Sequence, residues 1–91
     1  MYRNRKFLAA VASLPCALCG REDGTVVPAH RNEGKGIGIK NSDALVAALC
    51  HQCHHEIDNG KELDRDQRRD AWNRAYVRTM QTLIESGTLS L

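Results

Sequence analysis

The chain has 91 residues, with 13 Lys and Arg against 11 Asp and Glu and a formal charge of +2. That length points to one domain, residues 1–91, whose small core invites a metal or disulfide staple. Trp72, Tyr2, Tyr76 and Phe7 are the only aromatics. That excludes a large aromatic core, and the near-balanced charge excludes a polycation that would bind nucleic acid by bulk charge alone.

The first 14 residues carry a predicted amphipathic helix over 4–14. Phe7, Leu8, Val11 and Leu14 fall on one face, and Pro15 ends it. Arg3, Arg5 and Lys6 read as the solvated basic end of a packing helix rather than a DNA-binding arm. The same stretch faintly resembles a secretory leader. Its apolar run is short, however, and runs into Pro15-Cys16 without a small-residue cleavage site. No stretch is long and apolar enough to span a membrane. The expectation is therefore a cytoplasmic protein in a reducing compartment, where paired Cys-x-x-Cys motifs bind metal.

Residues 15–60 form the predicted metal-stapled core. Cys16-Ala17-Leu18-Cys19-Gly20 reads as a knuckle, with Gly20 easing the turn. Thr25-Val26-Val27 reads as a strand that delivers His30, and Pro28 marks an edge or a bulge in it. Residues 31–42 are a Gly-rich basic loop with Arg31, Lys35 and Lys40. No Gly-Lys-Ser/Thr closes it, so it is not a Walker loop. Its glycines either permit an irregular excursion or let amides and lysines approach phosphate. Ser42 or Asp43 caps a short turn. Residues 45–49 read as a buried strand pairing with 25–29, with a short helix as the alternative. Cys50-His51-Gln52-Cys53 is the second knuckle. A helix is predicted to begin near Cys53 and to stop at Asn59-Gly60.

Residues 64–86 read as a long helix. Asp64 caps it and Gln67 completes a capping box. Trp72, Ala75, Tyr76, Thr79, Met80, Leu83 and Ile84 make the inner stripe, and Gly87 closes the end. Arg65, Arg68, Arg69, Arg74 and Arg78 lie off the stripe, as a solvated face with DNA backbone as an alternative partner.

The four cysteines carry the firmest chemistry. Zn²⁺ favours four tetrahedral ligands, and the thiolates of Cys16, Cys19, Cys50 and Cys53 fill that number in two pairs. A Cys₄ site is closed to substrate and is structural. With the thiols ionised and Zn²⁺ bound, the formal charge falls to about zero. A redox reading lacks the βαβ pattern it needs. A variant in which His51 or His54 replaces one thiolate stays open. The overall class is α+β: a hairpin, then a helix carrying the last two ligands, which is a treble-clef arrangement. That arrangement serves DNA binding, protein binding and catalysis alike.

His30 ends the first strand. His54 follows Cys53, and Asp58 lies four residues on, on the same helix face. As a set, Cys16-Ala17-Leu18-Cys19-Gly20, Ala29-His30 and Leu49-Cys50-x-x-Cys53-His54 resemble the cysteine-containing HNH endonucleases of the His-Me finger group. The resemblance is closer to the small YbcO-type candidate nucleases of phages and prophages. It runs through Val27-Pro28-Ala29-His30, Gly36-Ile37-Gly38-Ile39-Lys40 and Asp43-Ala44-Leu45 to Cys50-x-x-Cys53-His54-x-x-Ile57-Asp58. It covers most of residues 15–85 and omits the first 14.

The resemblance implies a ββα-metal site that hydrolyses DNA phosphodiesters, in phage recombination or DNA processing. His30 would be the general base on water, and His54 would hold a divalent catalytic cation such as Mg²⁺. A histidine titrates near neutrality and can take the proton, while a cation neutralises charge on the phosphate. Two positions depart from the family pattern. Ala29 stands where many members carry Asp or His, and Leu45 stands at the usual Asn, with Asn41 or Asp43 as substitutes. Asp58 is expected to complete the metal set with His54, the alternative being a cap or a partner for Lys or Arg. His55 is a second candidate ligand, and His51 is expected to face solvent. Arg31, Lys35 and Lys40 are expected to contact phosphates. Two other functions fit the same residues: a non-catalytic treble-clef DNA-binding module and a zinc-stapled protein-interaction adaptor. Monomer and homodimer both remain open.

Overall fold

A two-stranded antiparallel hairpin sits at the centre, and the three helices pack around it. The computed structural model describes residues 2–31, 42–60 and 62–89. Among these the elements are α1 (Arg5–Ala12), β1 (Val27–His30), β2 (Val46–Leu49), α2 (His51–Asn59) and α3 (Arg65–Glu85).

The hairpin register pairs Val27 with Leu49, Pro28 with Ala48, Ala29 with Ala47 and His30 with Val46. The first strand therefore starts two residues later than the β-branched run suggests. Thr25 is withdrawn by its own side chain. Its hydroxyl donates to Asp23 Oδ1 and accepts from the His51 N–H. A helix N-terminus leaves amide donors without intrahelical partners, and Thr25 satisfies one of them for α2.

Pro28 lies opposite Ala48, and the backbone of Ala48 is bonded elsewhere. Its N–H donates to Thr79 Oγ1 at 3.0 Å, and its carbonyl accepts from the Ala17 N–H at 2.8 Å. No ladder bond is therefore asked of the proline, which is how a strand tolerates one without the bulge that was the alternative. The same two bonds fasten the far edge of β2 to the first knuckle and to α3. Val46, Ala47, Ala48, Leu49 and Cys50 are all fully buried. Covered on both faces, β2 shows an unbroken apolar run rather than an alternating one.

Helix α1 is shorter than the predicted 4–14. Asn4 is its N-cap, with Oδ1 accepting from the Phe7 N–H at 3.0 Å. Val11 is its fully buried anchor, while Phe7, Leu8 and Leu14 are packed against the core at partial burial. Burying a side chain such as Val11 contributes about 2 kcal/mol.

Helix α2 starts at His51, earlier than predicted, because Cys50 is itself the cap: its Sγ accepts from the Cys53 N–H. At the far end Gly60 is extended rather than left-handed. Glycine is needed there because a Cβ would lie 2.5 Å from the Glu56 carbonyl oxygen.

Helix α3 opens with the predicted capping box between Asp64 and Gln67. Ala71, Trp72, Ala75, Thr79 and Leu83 are its buried residues. Ile84, expected on the inner stripe, is 50% exposed, and Leu83 beside it takes the core position. Arg68 is not a free surface cation. Its guanidinium donates to the Leu63 and Gly60 carbonyls and ties the α2–α3 connection together. Trp72 stacks on Tyr76, and its indole N–H reaches the Ala29 carbonyl at 3.1 Å. Thus α3 grips both strands: β1 through Trp72 and β2 through Thr79. Among the described residues, no helix is long and apolar enough to cross a membrane.

Candidate functional site

The two knuckles converge. The Sγ atoms of Cys16, Cys19, Cys50 and Cys53 all lie within 4.8 Å of one another. Local structure places each pair. Around the first, the Cys16 N–H bonds to the Arg21 carbonyl, and the Gly20 N–H bonds to the Cys16 carbonyl. Gly20 sits at φ +78°, where a side chain would be strained. Around the second pair, Cys50 ends β2 and caps α2, so Cys53 falls in the first helical turn.

All four thiols are free. Cys19 Sγ and Cys50 Sγ stand 3.7 Å apart. A tetrahedral zinc with Zn–S bonds of about 2.3 Å would hold its sulfurs about 3.8 Å apart. A disulfide needs about 2.0 Å. The spacing fits a shared cation, and these four cysteines could hold a zinc ion.

The thiol electrostatics agree with a cluster built for a cation. Burial pushes Cys16 up, but backbone hydrogen bonds from Cys19, Cys50 and Leu18 outweigh it and bring that thiol down to about 6. Burial and the three neighbouring sulfurs push Cys53 strongly up. Cys19 is also raised: the Arg21 backbone bond favours its thiolate, but burial and the sulfurs of Cys16 and Cys50 prevail. Like charges this close cannot all ionise on their own, and a divalent cation removes that conflict.

The histidines fall into two pairs outside the sulfur cluster. On α2, His54 Nε2 lies 2.9 Å from Asp58 Oδ2, so the expected i,i+4 face is real. Both side chains are about one-third exposed. His54 is thus one partner of Asp58. Among the described residues, no third His, Cys, Asp or Glu joins His54 and Asp58 in a ligand cluster. His55 and His51 are exposed. Neither they nor His54 belong to the sulfur cluster, so the variant with a histidine replacing a thiolate is not the arrangement found.

The second pair is His30 with Asp43. His30 Nε2 lies 2.9 Å from Asp43 Oδ1. Asp43 is nearly buried, with its side chain 6% exposed, whereas the His30 side chain is 33% exposed. The Asp43 carboxylate accepts three bonds: from His30, from the Asn4 N–H at 2.9 Å and from Arg3 Nη1 at 3.1 Å. Those bonds, His30 first, outweigh burial and hold its carboxyl down to about 2. At neutral pH it is an ionised acceptor, so Nε2 of His30 carries the hydrogen and Nδ1 of the neutral ring keeps its lone pair.

Three partners here were not apparent from the sequence. Asp43 was read as a turn cap or an asparagine substitute, not as the partner of His30. Arg3 and Asn4 reach it from some forty residues away along the chain, with no local signal. Of the predicted phosphate contacts, Arg31 extends the hairpin by one bond, its N–H donating to the Leu45 carbonyl at 3.0 Å. Lys35 and Lys40, and Asn41 with them, lie outside the described residues.

The chain was compared with known proteins. No family model matches it, and no curated protein matches it. A solved structure does. It is a protein of Escherichia coli str. K-12 substr. MG1655 described as a bacteriophage protein, with a TM-score of 0.61 at 21% identity. The match covers 93% of this chain and all of the other. At that identity the likeness is one of fold.

Proposed function

We propose that the protein is a metal-dependent DNA endonuclease of the HNH type. In this reading the cysteine cluster holds structural zinc, and the hairpin with α2 is a ββα-metal unit of treble-clef form. The observation that carries the proposal is the His30–Asp43 pair. A one-third-exposed imidazole, held through Nε2 by a nearly buried carboxylate, leaves Nδ1 as a proton acceptor of fixed orientation. A histidine that only packs has no need of a buried ionised partner.

The reaction is hydrolysis of a phosphodiester. His30 Nδ1 takes the proton from the attacking water, and Asp43 steadies the imidazolium that forms. His54 and Asp58 would hold a divalent cation such as Mg²⁺. That ion would supply neutralisation of charge on the phosphate and the leaving oxygen. Their ligand atoms are close enough to share one ion, at a distance that is also that of a direct histidine–carboxylate hydrogen bond. Adjacent ligands of an octahedral Mg²⁺ at about 2.1 Å lie about 3 Å apart, against the 2.9 Å found. Two protein ligands also suit Mg²⁺, which keeps several waters and takes substrate oxygens. Arg31, Lys35 and Lys40 would line the phosphate path. The bacteriophage description of the fold neighbour is consistent with a phage origin, and the role we propose is phage DNA processing in the cytoplasm of a bacterial host.

The test is cleavage of plasmid and single-stranded DNA in Mg²⁺ or Mn²⁺ by wild type and His30→Ala. General-base catalysis typically contributes about 10²–10⁴-fold, and a loss of that size is expected. No cleavage by wild type, or full cleavage by the variant, would overturn the reading. Salt-dependent DNA binding without cleavage would favour the binding module, and no binding at all the adaptor.

A further inference from the structure

We infer that Arg3, in the segment ahead of α1, is a positioning residue for the His30 base and acts through Asp43. The inference rests on the nuclease reading of His30 and adds a residue that lies outside the family resemblance.

The segment 2–4 engages the Asp43 N–H and both of its carboxylate oxygens. Asp43 donates its N–H to the Tyr2 carbonyl at 2.9 Å. Its Oδ2 accepts from the Asn4 N–H at 2.9 Å. Its Oδ1 accepts from both Arg3 Nη1 and His30 Nε2, at 3.1 and 2.9 Å. Asn4 also caps α1. The helix and the carboxylate are thus set by the same three residues. An Asp43 carboxylate free to rotate would let the His30 ring rotate with it. The segment removes that freedom.

Arg3 also balances charge. A nearly buried carboxylate facing only an imidazole favours the imidazolium, which cannot act as a base. A guanidinium on the same oxygen offsets that pull while leaving the bond to Nε2 in place. Among the described residues, the elements packed against His30 bring few other charges. Across the hairpin it faces apolar Val46. From α3, Trp72 brings an uncharged indole to Ala29. On α1, Arg5 and Lys6 are exposed cations, and Arg31 follows in the chain. Arg3 is distinguished from these by its direct bond to the shared oxygen.

An ordinary surface ion pair would contribute little stability and would leave His30 unaffected. The deciding experiment is an NMR titration of the His30 ring in zinc-loaded wild type, Arg3→Ala and Arg3→Lys. Arg3→Ala is expected to raise the His30 midpoint above that of wild type. The acidic limb of the cleavage–pH profile should move up with it. Arg3→Lys, which keeps the charge, should return the midpoint towards wild type. In an Asp43→Asn background, Arg3→Ala should have no further effect. A His30 titration that superimposes on wild type in Arg3→Ala overturns the inference, as does a full shift that persists without Asp43. Absence of cleavage by wild type would instead overturn the nuclease reading, so the two fail separately.

Discussion

Cys50→Ser isolates the energetic weight of the metal centre. Cys50 has two roles: its Sγ caps α2, and it is one of four converging sulfurs. Serine is itself a good N-cap, so the capping role survives the change. What is lost is one ligand. Structural zinc sites contribute roughly 10–16 kcal/mol of apparent binding energy at neutral pH. One ligand in four is then worth about 2.5–4 kcal/mol, before any distortion of the remaining three. A domain of this size has a total stability of about 5–15 kcal/mol. Cys50 is fully buried at the junction of β2 and α2, so the loss falls on the element that anchors the hairpin. The assay is urea unfolding of wild type and variant, with zinc content measured on the same samples. One zinc per chain is expected for wild type. The variant should lose at least about 2.5 kcal/mol of stability and bind metal weakly or not at all. A Cys50→Ser protein with wild-type stability, or a wild type whose unfolding ignores a strong chelator, would refute the reasoning.

Two further outcomes concern the histidine pairs. The folded-state carboxyl of Asp43 is held down to about 2, below the ordinary value of about 4. Its contribution to stability is therefore present above about pH 4 and is lost as the pH falls towards 2. Acid unfolding of Asp43→Asn should show a gap to wild type that is constant near neutrality and closes between about pH 4 and 2. A gap independent of pH would contradict the assignment. His54→Ala should keep the fold and the zinc, since His54 is outside the sulfur cluster, yet lose Mn²⁺ binding in calorimetry of the zinc-loaded protein. Unchanged Mn²⁺ binding would remove His54 from the metal site.

The local features of the fold were largely legible in the sequence. Asp64 and Gln67 announce the start of α3 at a fixed spacing, and the structure has the capping box as expected. Two Cys-x-x-Cys pairs announce convergence, because thiols in such pairs rarely serve anything but a shared ion. His54 and Asp58 follow from helical geometry alone. The less legible features depend on contacts distant in sequence. Thr25 left the strand because the α2 N-terminus, 26 residues away, needed an acceptor. Pro28 avoided a bulge because Thr79 and Ala17 had already taken the bonds of Ala48. Ile84 and Leu83 are adjacent and similar, and only the packing of α3 on the hairpin decides which is buried. Asp43 looked like a turn residue because its partners, Arg3 and Asn4 on one stretch and His30 on another, lie far from it along the chain. A buried acid reveals its purpose only when those stretches are folded together.

The proposed endonuclease requires the imidazoles of His30 and His54 to reach a common phosphate. Paramagnetic broadening by Mn²⁺ tests that most directly. In zinc-loaded protein, Mn²⁺ held at His54 and Asp58 should broaden the ring signals of His54 first and of His30 at only slightly higher occupancy. His30 signals that stay sharp while those of His54 vanish would place the two rings in separate regions and contradict a shared catalytic site.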